Sequence, residues 1–316
     1  QIVNRVMSNA KLSLFPINGL QVDFIVGCDA FSQLGNQYIP IYPYAGVNPA
    51  YYANGYASTV NNLSFIYNTD INITYNKKFG NFSSNTVMGY NYQNQRFDYT
   101  QSNGENLLPT VSTVVGSSNR QTTYDLKRRW VDGYFLQETF GYNNQLFLTL
   151  AGRLDNSVAF SVQNRNQFYS KGSLSYVLSE SGFWKNSKMS NWWNGFKLRA
   201  SFGESGGLNS IFPEDRITSL NSAPYLGKNT FVTNSKIGNN DIKVERTREL
   251  EGGMDLGFLK NKLNLSFSAY SQNVYDLIIN RQLAASEGGT SKLDNLGKMT
   301  NNGYEVAFNY NIIKNK

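Results

Sequence analysis

The 316-residue chain has no histidine and a single cysteine, and each shortage removes a class of chemistry. Without imidazole there is no Ser-His-Asp or Cys-His nucleophile system, no histidine acid–base catalysis and no histidine-containing zinc site. Cys28 alone forms neither an intrachain disulfide nor a thiolate cluster, and it reads as a small packed hydrophobe. Charge is scarce too, at 16% of residues against roughly 25% in an ordinary soluble domain. Apolar residues have not taken its place, since mean hydropathy is −0.43. Asn, Ser, Gln and Thr have. No run approaches the roughly 18 consecutive apolar residues of a transmembrane helix. The start, Gln1-Ile2-Val3-Asn4-Arg5, lacks both Met and a signal-peptide pattern, which predicts a processed chain or an internal piece of a longer one.

What is present is aromatic: 21 Tyr, 20 Phe and 4 Trp, too many large apolar side chains for a disordered polymer. The net charge of +7 is modest for this length, and Lys127-Arg128-Arg129 is the one tight basic cluster, so no nucleic-acid partner is expected.

Period decides the architecture. Leu146, Leu148 and Leu150 face one way; so do Phe196, Leu198, Ala200 and Phe202, with Lys197, Arg199 and Ser201 opposite them. Leu250, Met254, Leu256 and Phe258 oppose Glu249, Glu251 and Asp255. Leu263, Leu265, Phe267 and Ala269 oppose Asn264, Ser266 and Ser268, and Tyr304, Val306, Phe308 and Tyr310 oppose Glu305, Ala307 and Asn309. This is an all-β pattern, cut by turn signals into about eleven strands near 3–15, 20–33, 63–79, 82–101, 122–142, 145–160, 166–181, 195–206, 244–258, 262–283 and 299–314. Connections alternate in length. Ile17-Asn18-Gly19, Gly80-Asn81, Asn143-Asn144 and Leu259-Lys260-Asn261 are tight turns, where Gly and Asn supply positive φ. Long polar connections near 34–62, 102–121, 207–243 and 284–298 separate them. A stretch near 182–194 with Phe183, Trp184, Trp192 and Trp193 predicts a helical turn at a membrane interface.

A soluble sandwich also alternates, with its apolar face buried and its polar face wet. Short turns at one end and long loops at the other favour part of a large antiparallel transmembrane β-barrel, in which the apolar face meets lipid and the polar face lines the lumen. Tyr75, Phe79, Phe82, Tyr90, Tyr92, Phe140, Tyr142 and Phe147, near strand ends, suit the interfacial girdles of such a barrel. An odd strand number makes the chain a single barrel domain over 1–316, truncated at both ends.

The residues also carry a resemblance. Gly195-Phe196-Lys197-Leu198-Arg199-Ala200-Ser201-Phe202-Gly203, the run from Asn240-Asp241-Ile242-Lys243-Val244-Glu245-Arg246-Thr247-Arg248-Glu249-Leu250 through Gly252, Asp255, Gly257-Phe258 and Tyr270 to Tyr275-Asp276-Leu277, and Asn295-Leu296-Gly297 through Asn301-Asn302-Gly303-Tyr304-Glu305 stand in the order of three signatures of the SusC/RagA family of TonB-dependent outer-membrane transporters of Bacteroidetes. Val244 stands where Trp is usual, and Asn302 where Lys is usual. The resemblance covers roughly residues 195–311, with a weaker match at Gly152-Arg153-Leu154-Asp155. It implies about 11 strands of an expected 22, with the plug domain outside this chain. It further implies residence in the bacterial outer membrane and energised import of a nutrient such as a glycan or oligopeptide. The partners implied are a SusD-like surface lipoprotein and TonB, the latter through the plug.

No catalytic role, cofactor or metal site is expected. Gly203 to Gly207 lacks the Lys-Ser/Thr ending of a phosphate cradle, and Glu214-Asp215 and the pair Glu249 and Glu251 read as solvated charges. The tyrosines Tyr42, Tyr44, Tyr51, Tyr52 and Tyr56, among Pro, Gly and Asn, are the candidate ligand contacts, because rigid rings stack on sugar faces or peptide side chains. Lys197, Arg199, Glu249 and Glu251 are the candidate lumen-facing charges. A passive porin, or a surface adhesin or glycan-binding β protein without energy coupling, are the alternatives.

Overall fold

The computed structural model describes residues 1–41, 54–207 and 211–312. Alternating side chains give long strands: β1 (Ile2–Leu14), β2 (Leu20–Ile39), β3 (Tyr56–Phe79), β4 (Phe82–Leu107), β5 (Ser117–Tyr142), β6 (Leu146–Ser157), β7 (Asn166–Val177) and β8 (Trp193–Gly207). Three short strands follow, β9 (Leu220–Tyr225), β10 (Lys228–Thr233) and β11 (Lys236–Ile237), and then β12 (Glu245–Phe258), β13 (Leu263–Gln282) and β14 (Ser291–Tyr310). The eleven expected strands are all present. They form one sheet in the order β1 to β8, then β12, β13 and β14, with β11 added in parallel beside β14. Among the described residues β1 and β14 do not pair, so the sheet is not closed.

Two compact units divide the chain. One contains Gln1–Lys11, Ile25–Thr69 and Tyr92–Trp130. The other contains Leu12–Phe24, Asp70–Asn91 and Val131–Lys316. Strands β6 to β14 lie wholly in the second.

The tight turns behave as expected. Gly19 and Gly80 have φ of 83° and 61°, and Asn143 and Asn144 have 52° and 56°. The last turn adds something the residue types do not announce, because Leu259 and Lys260 join Asn261 at φ of 54° to 59°. Outside contacts hold it: the Leu259 amide donates to the Trp192 carbonyl at 2.8 Å, and the Lys260 amide donates to Asn194 Oδ1. Two non-glycine residues are thereby kept in the left-handed region.

The strands run further than alternation predicted. β2 reaches Ile39, β4 reaches Leu107, and β3, β5 and β14 begin at Tyr56, Ser117 and Ser291. Beyond the apolar zone both faces are polar, so period two disappears from the sequence while the backbone ladder continues. The connection near 207–243 is no featureless loop: β9 and β10 form a hairpin in it, from Leu220↔Thr233 to Tyr225↔Lys228.

Exposure separates barrel from sandwich. Leu150 is 51% exposed, Leu154 48%, Phe168 57% and Leu250 61%, all on one face, whereas a sandwich would bury that face. Across β5, β6, β7 and β8 the register lines up Phe140, Leu148, Leu174 and Ala200. The alternate row contains Thr139, Thr149, Ser173 and Ser201. Phe147 is an exception to the expected girdle. It lies across from Gly141 and Ser175, on the polar face, where the absent Gly141 side chain leaves room for its ring.

At the short-turn end, the stretch near 182–194 forms α1 (Gly182–Lys185) and a further helical turn at Lys188–Asn191. Trp193 stacks on Phe196 and Phe258 with ring centroids 5.0 and 5.5 Å apart, Trp192 stacks on Phe258 at 5.9 Å, and Trp184 meets Trp193 edge-on at 4.8 Å. The Trp184 indole N–H donates to the Trp193 carbonyl at 3.2 Å, so the one buried tryptophan of the cluster satisfies its polar atom.

Candidate functional site

The four charges expected to face the lumen share one side of β8 and β12. Lys197 stands across from Asp255, Arg199 from Gly253, Ser201 from Glu251 and Gly203 from Glu249. Arg199 is the hub. It donates to Asp255 Oδ1 at 2.8 Å, approaches Glu251 Oε1 at 3.7 Å and reaches Ser268 Oγ on β13. Ser266 also donates to Asp255 Oδ1, at 2.7 Å, and Lys197 lies 4.0 Å from Asp255 Oδ2. Glu249 accepts from Gln272 at 3.0 Å.

Gly253 makes the crossing possible. A side-chain carbon there would lie 2.7 Å from Arg199 Nε, so glycine opens the path by which the guanidinium reaches β13. The result is a wall of paired charges, each about one-third exposed and so partly screened by water.

The other motif residues have structural work. Asn295 clamps the preceding connection: its amide donates to the carbonyls of Lys243 and Asp276 at 3.0 and 2.8 Å, and its oxygen accepts from the Lys243 amide at 2.8 Å. Gly297 faces Leu277, whose Cβ lies 2.7 Å from where a side-chain carbon would begin. Ile242 is fully buried in a small core with Ala159, Phe160, Ile211 and Val244, against which Ile278 and Leu293 pack. Asn239 donates to the Leu293 carbonyl and Asp294 Oδ1 at 2.7 and 2.8 Å, and Asn164 donates to the Asp241 and Ile242 carbonyls. Two connections, 158–165 and 211–244, are thus packed together against β13 and β14 at the long-loop end of the second unit. Sequence reading missed this loop core; its one signal was apolar residues isolated in polar connections, such as Phe160 and Ile242.

Of the candidate ligand-contacting tyrosines, Tyr42, Tyr44, Tyr51 and Tyr52 lie outside the described residues. Tyr56 is buried, and its hydroxyl donates to Asn103 Oδ1 at 2.9 Å, where Ser58 and Gln101 also donate. It braces the base of its connection. Cys28 is half-buried and free, with Ser8 Oγ at 3.1 Å. A recess of about 930 Å³ opens among Ile71, Ile73, Leu136, Leu154 and Phe168 on the apolar face, where it suits hydrocarbon and not a polar solute.

An unclosed sheet of long strands, apolar on one face and lined with paired charges on the other, is the wall of a transmembrane β-barrel. The chain belongs to the TonB-dependent receptor β-barrel family, since residues 15–314 match the family described as "TonB dependent receptor-like, beta-barrel". It is an outer-membrane protein. It is 28% identical over 268 residues to TonB-dependent receptor P3 of Formosa agariphila, covering 83% of this chain and 26% of that protein. With TonB-dependent receptor SusC of Bacteroides thetaiotaomicron it shares 24% identity, covering 87% of this chain and 27% of the relative. The chain therefore spans about a quarter of the length of these curated relatives. In fold it superposes on the RagAB peptide transporter with a TM-score of 0.86 at 17% identity, covering 97% of this chain and 34% of that one. The ferric citrate transporter FecA superposes at 0.57 with 11% identity, over 98% and 39%.

Proposed function

We propose that this chain is barrel wall from a TonB-dependent importer that carries a nutrient, a glycan or oligopeptide, across the outer membrane. The observation that carries the reading is the paired-charge face centred on Arg199. A passive ion filter uses rings of like charge, whereas here cations and carboxylates neutralise one another, as suits a wall packed around a plug or along the path of a neutral solute. The buried loop core supports the same reading, because a rigid extracellular end gives a lid protein a fixed surface on which to close. In this reading the partners are a SusD-like lipoprotein at the long loops and TonB through a plug, and Tyr42, Tyr44, Tyr51 and Tyr52 touch the solute. The chain itself has no catalytic task.

The test is deletion of the complete gene in the source bacterium, followed by uptake of labelled oligosaccharides and oligopeptides with and without a protonophore. Uptake is expected to disappear on deletion and to collapse when the proton-motive force is dissipated. Transport that survives the protonophore would replace this reading with a passive porin. Lost surface binding without any transport would replace it with an adhesin.

A further inference from the structure

The outward face of β8, β12, β13 and β14 changes character abruptly along the strands. In register, Phe196, Leu256, Leu265 and Phe308 form one row, and Leu198, Met254, Phe267 and Val306 the next. Ala200, Gly252, Ala269 and Tyr304 follow, then Phe202, Leu250, Ser271 and Asn302. The next row is Glu204, Arg248, Asn273 and Thr300, with no apolar member, and beyond it Arg246 stands across from Tyr275.

Height fixes what this boundary is. From Phe258, in the tryptophan cluster, to Arg248 is ten residues of β12. At about 3.4 Å per residue and a tilt of about 40° that is roughly 26 Å along the membrane normal, the thickness of the apolar band of an outer-membrane barrel. Arg248 therefore lies at the far interface, on the long-loop side, where lipid headgroups sit.

The cations there are held in place. Arg248 donates to Glu204 Oε1 at 2.6 Å while its guanidinium lies 5.4 Å from the centre of the Tyr275 ring. Lys298 lies 5.0 Å from the same ring centre. Arg246 donates to Gln167 and stands 3.9 Å from Glu204. One carboxylate, Glu204, thus faces two cations, Arg246 and Arg248, and among the described residues no carboxylate lies within ion-pair distance of Lys298. Two cations gathered on one tyrosine repel each other unless an anion joins them. Hydrocarbon-facing Leu250 and Tyr304, 61% and 80% exposed, lie just below.

We propose that Arg248 and Lys298, gathered on Tyr275, bind the phosphate of a lipid in the outer leaflet, a phosphorylated glycolipid of the lipid A type whose acyl chains lie along Leu250, Phe202 and Tyr304. Charge complementarity selects the phosphate, and continuity with the apolar band selects a lipid over a soluble anion. Tyr275 positions the two cations and does not bind the anion.

The test uses the full-length receptor in nanodiscs containing phosphorylated or dephosphorylated lipid A, with retained lipid counted by native mass spectrometry. Wild type is expected to retain the phosphorylated form preferentially. The double variant Arg248→Gln/Lys298→Gln should lose on the order of tenfold of that preference, while Arg248→Lys, which keeps the charge, should lose little. Heat-modifiable migration confirms that each variant is folded. Equal retention by wild type and the double variant, or no discrimination between the two lipids, would overturn the proposal. So would complete displacement by millimolar inorganic phosphate, which would make the site a receptor for the free anion.

Discussion

The loop core and the polar wall hold neighbouring strands by opposite means. Around Phe160 and Ile242 the chain excludes water, and its polar atoms are backbone groups tied by Asn164, Asn239 and Asn295. Around Arg199 it admits water, and strands are joined by charges that remain about one-third exposed. Burial acts through packing and responds steeply to lost volume; a wet ion-pair wall responds weakly, because solvent screens what is removed. Sequence signatures of a barrel therefore need not mark its most energetic contacts.

Substitutions can break this contrast. Phe160→Ala empties a fully buried site and is expected to cost about 3–5 kcal/mol locally. The measurement is limited proteolysis of intact receptor, in which the connections at 158–165 and 211–244 should become cleavable while heat-modifiable migration of the barrel persists. If the loops stay resistant, the core does not hold them. Arg199→Met leaves Glu251 and Asp255 with only Lys197 nearby, and about 1–3 kcal/mol is expected, toward the lower end because of screening. Denaturant unfolding in detergent should report it, and a loss as large as that of Phe160→Ala would erase the distinction. Glu249→Gln keeps a partner for Gln272, and a change below about 0.5 kcal/mol is expected by the same assay.

Most of the wall was legible in sequence because lipid imposes period two on every strand that crosses it. Leu146 through Leu150, or Leu263 through Ala269, can face only one way. Legibility ends where lipid ends. The upper end of β4, with Ser102, Asn103, Glu105 and Asn106, is polar on both faces, so it reads as loop. The β9–β10 hairpin and the burial of Ile242 depend on contacts between connections far apart in sequence, which no local pattern encodes. The signature residues were recognisable as a set, yet their individual roles were not: that Gly253 clears a path for Arg199, or that Asn295 fastens Lys243, is visible only once strands are side by side.

The strict opposition of faces on β8 and β12 also makes assembly self-correcting. A slip of one residue would turn Arg199, Glu251 and Asp255 toward hydrocarbon and Leu198 and Met254 toward water. At roughly 2–4 kcal/mol for each basic residue near the bilayer centre, such a misprint is costly before any neighbouring strand has docked. The membrane thus proofreads the chain, and a barrel this long can be spelled correctly one strand pair at a time.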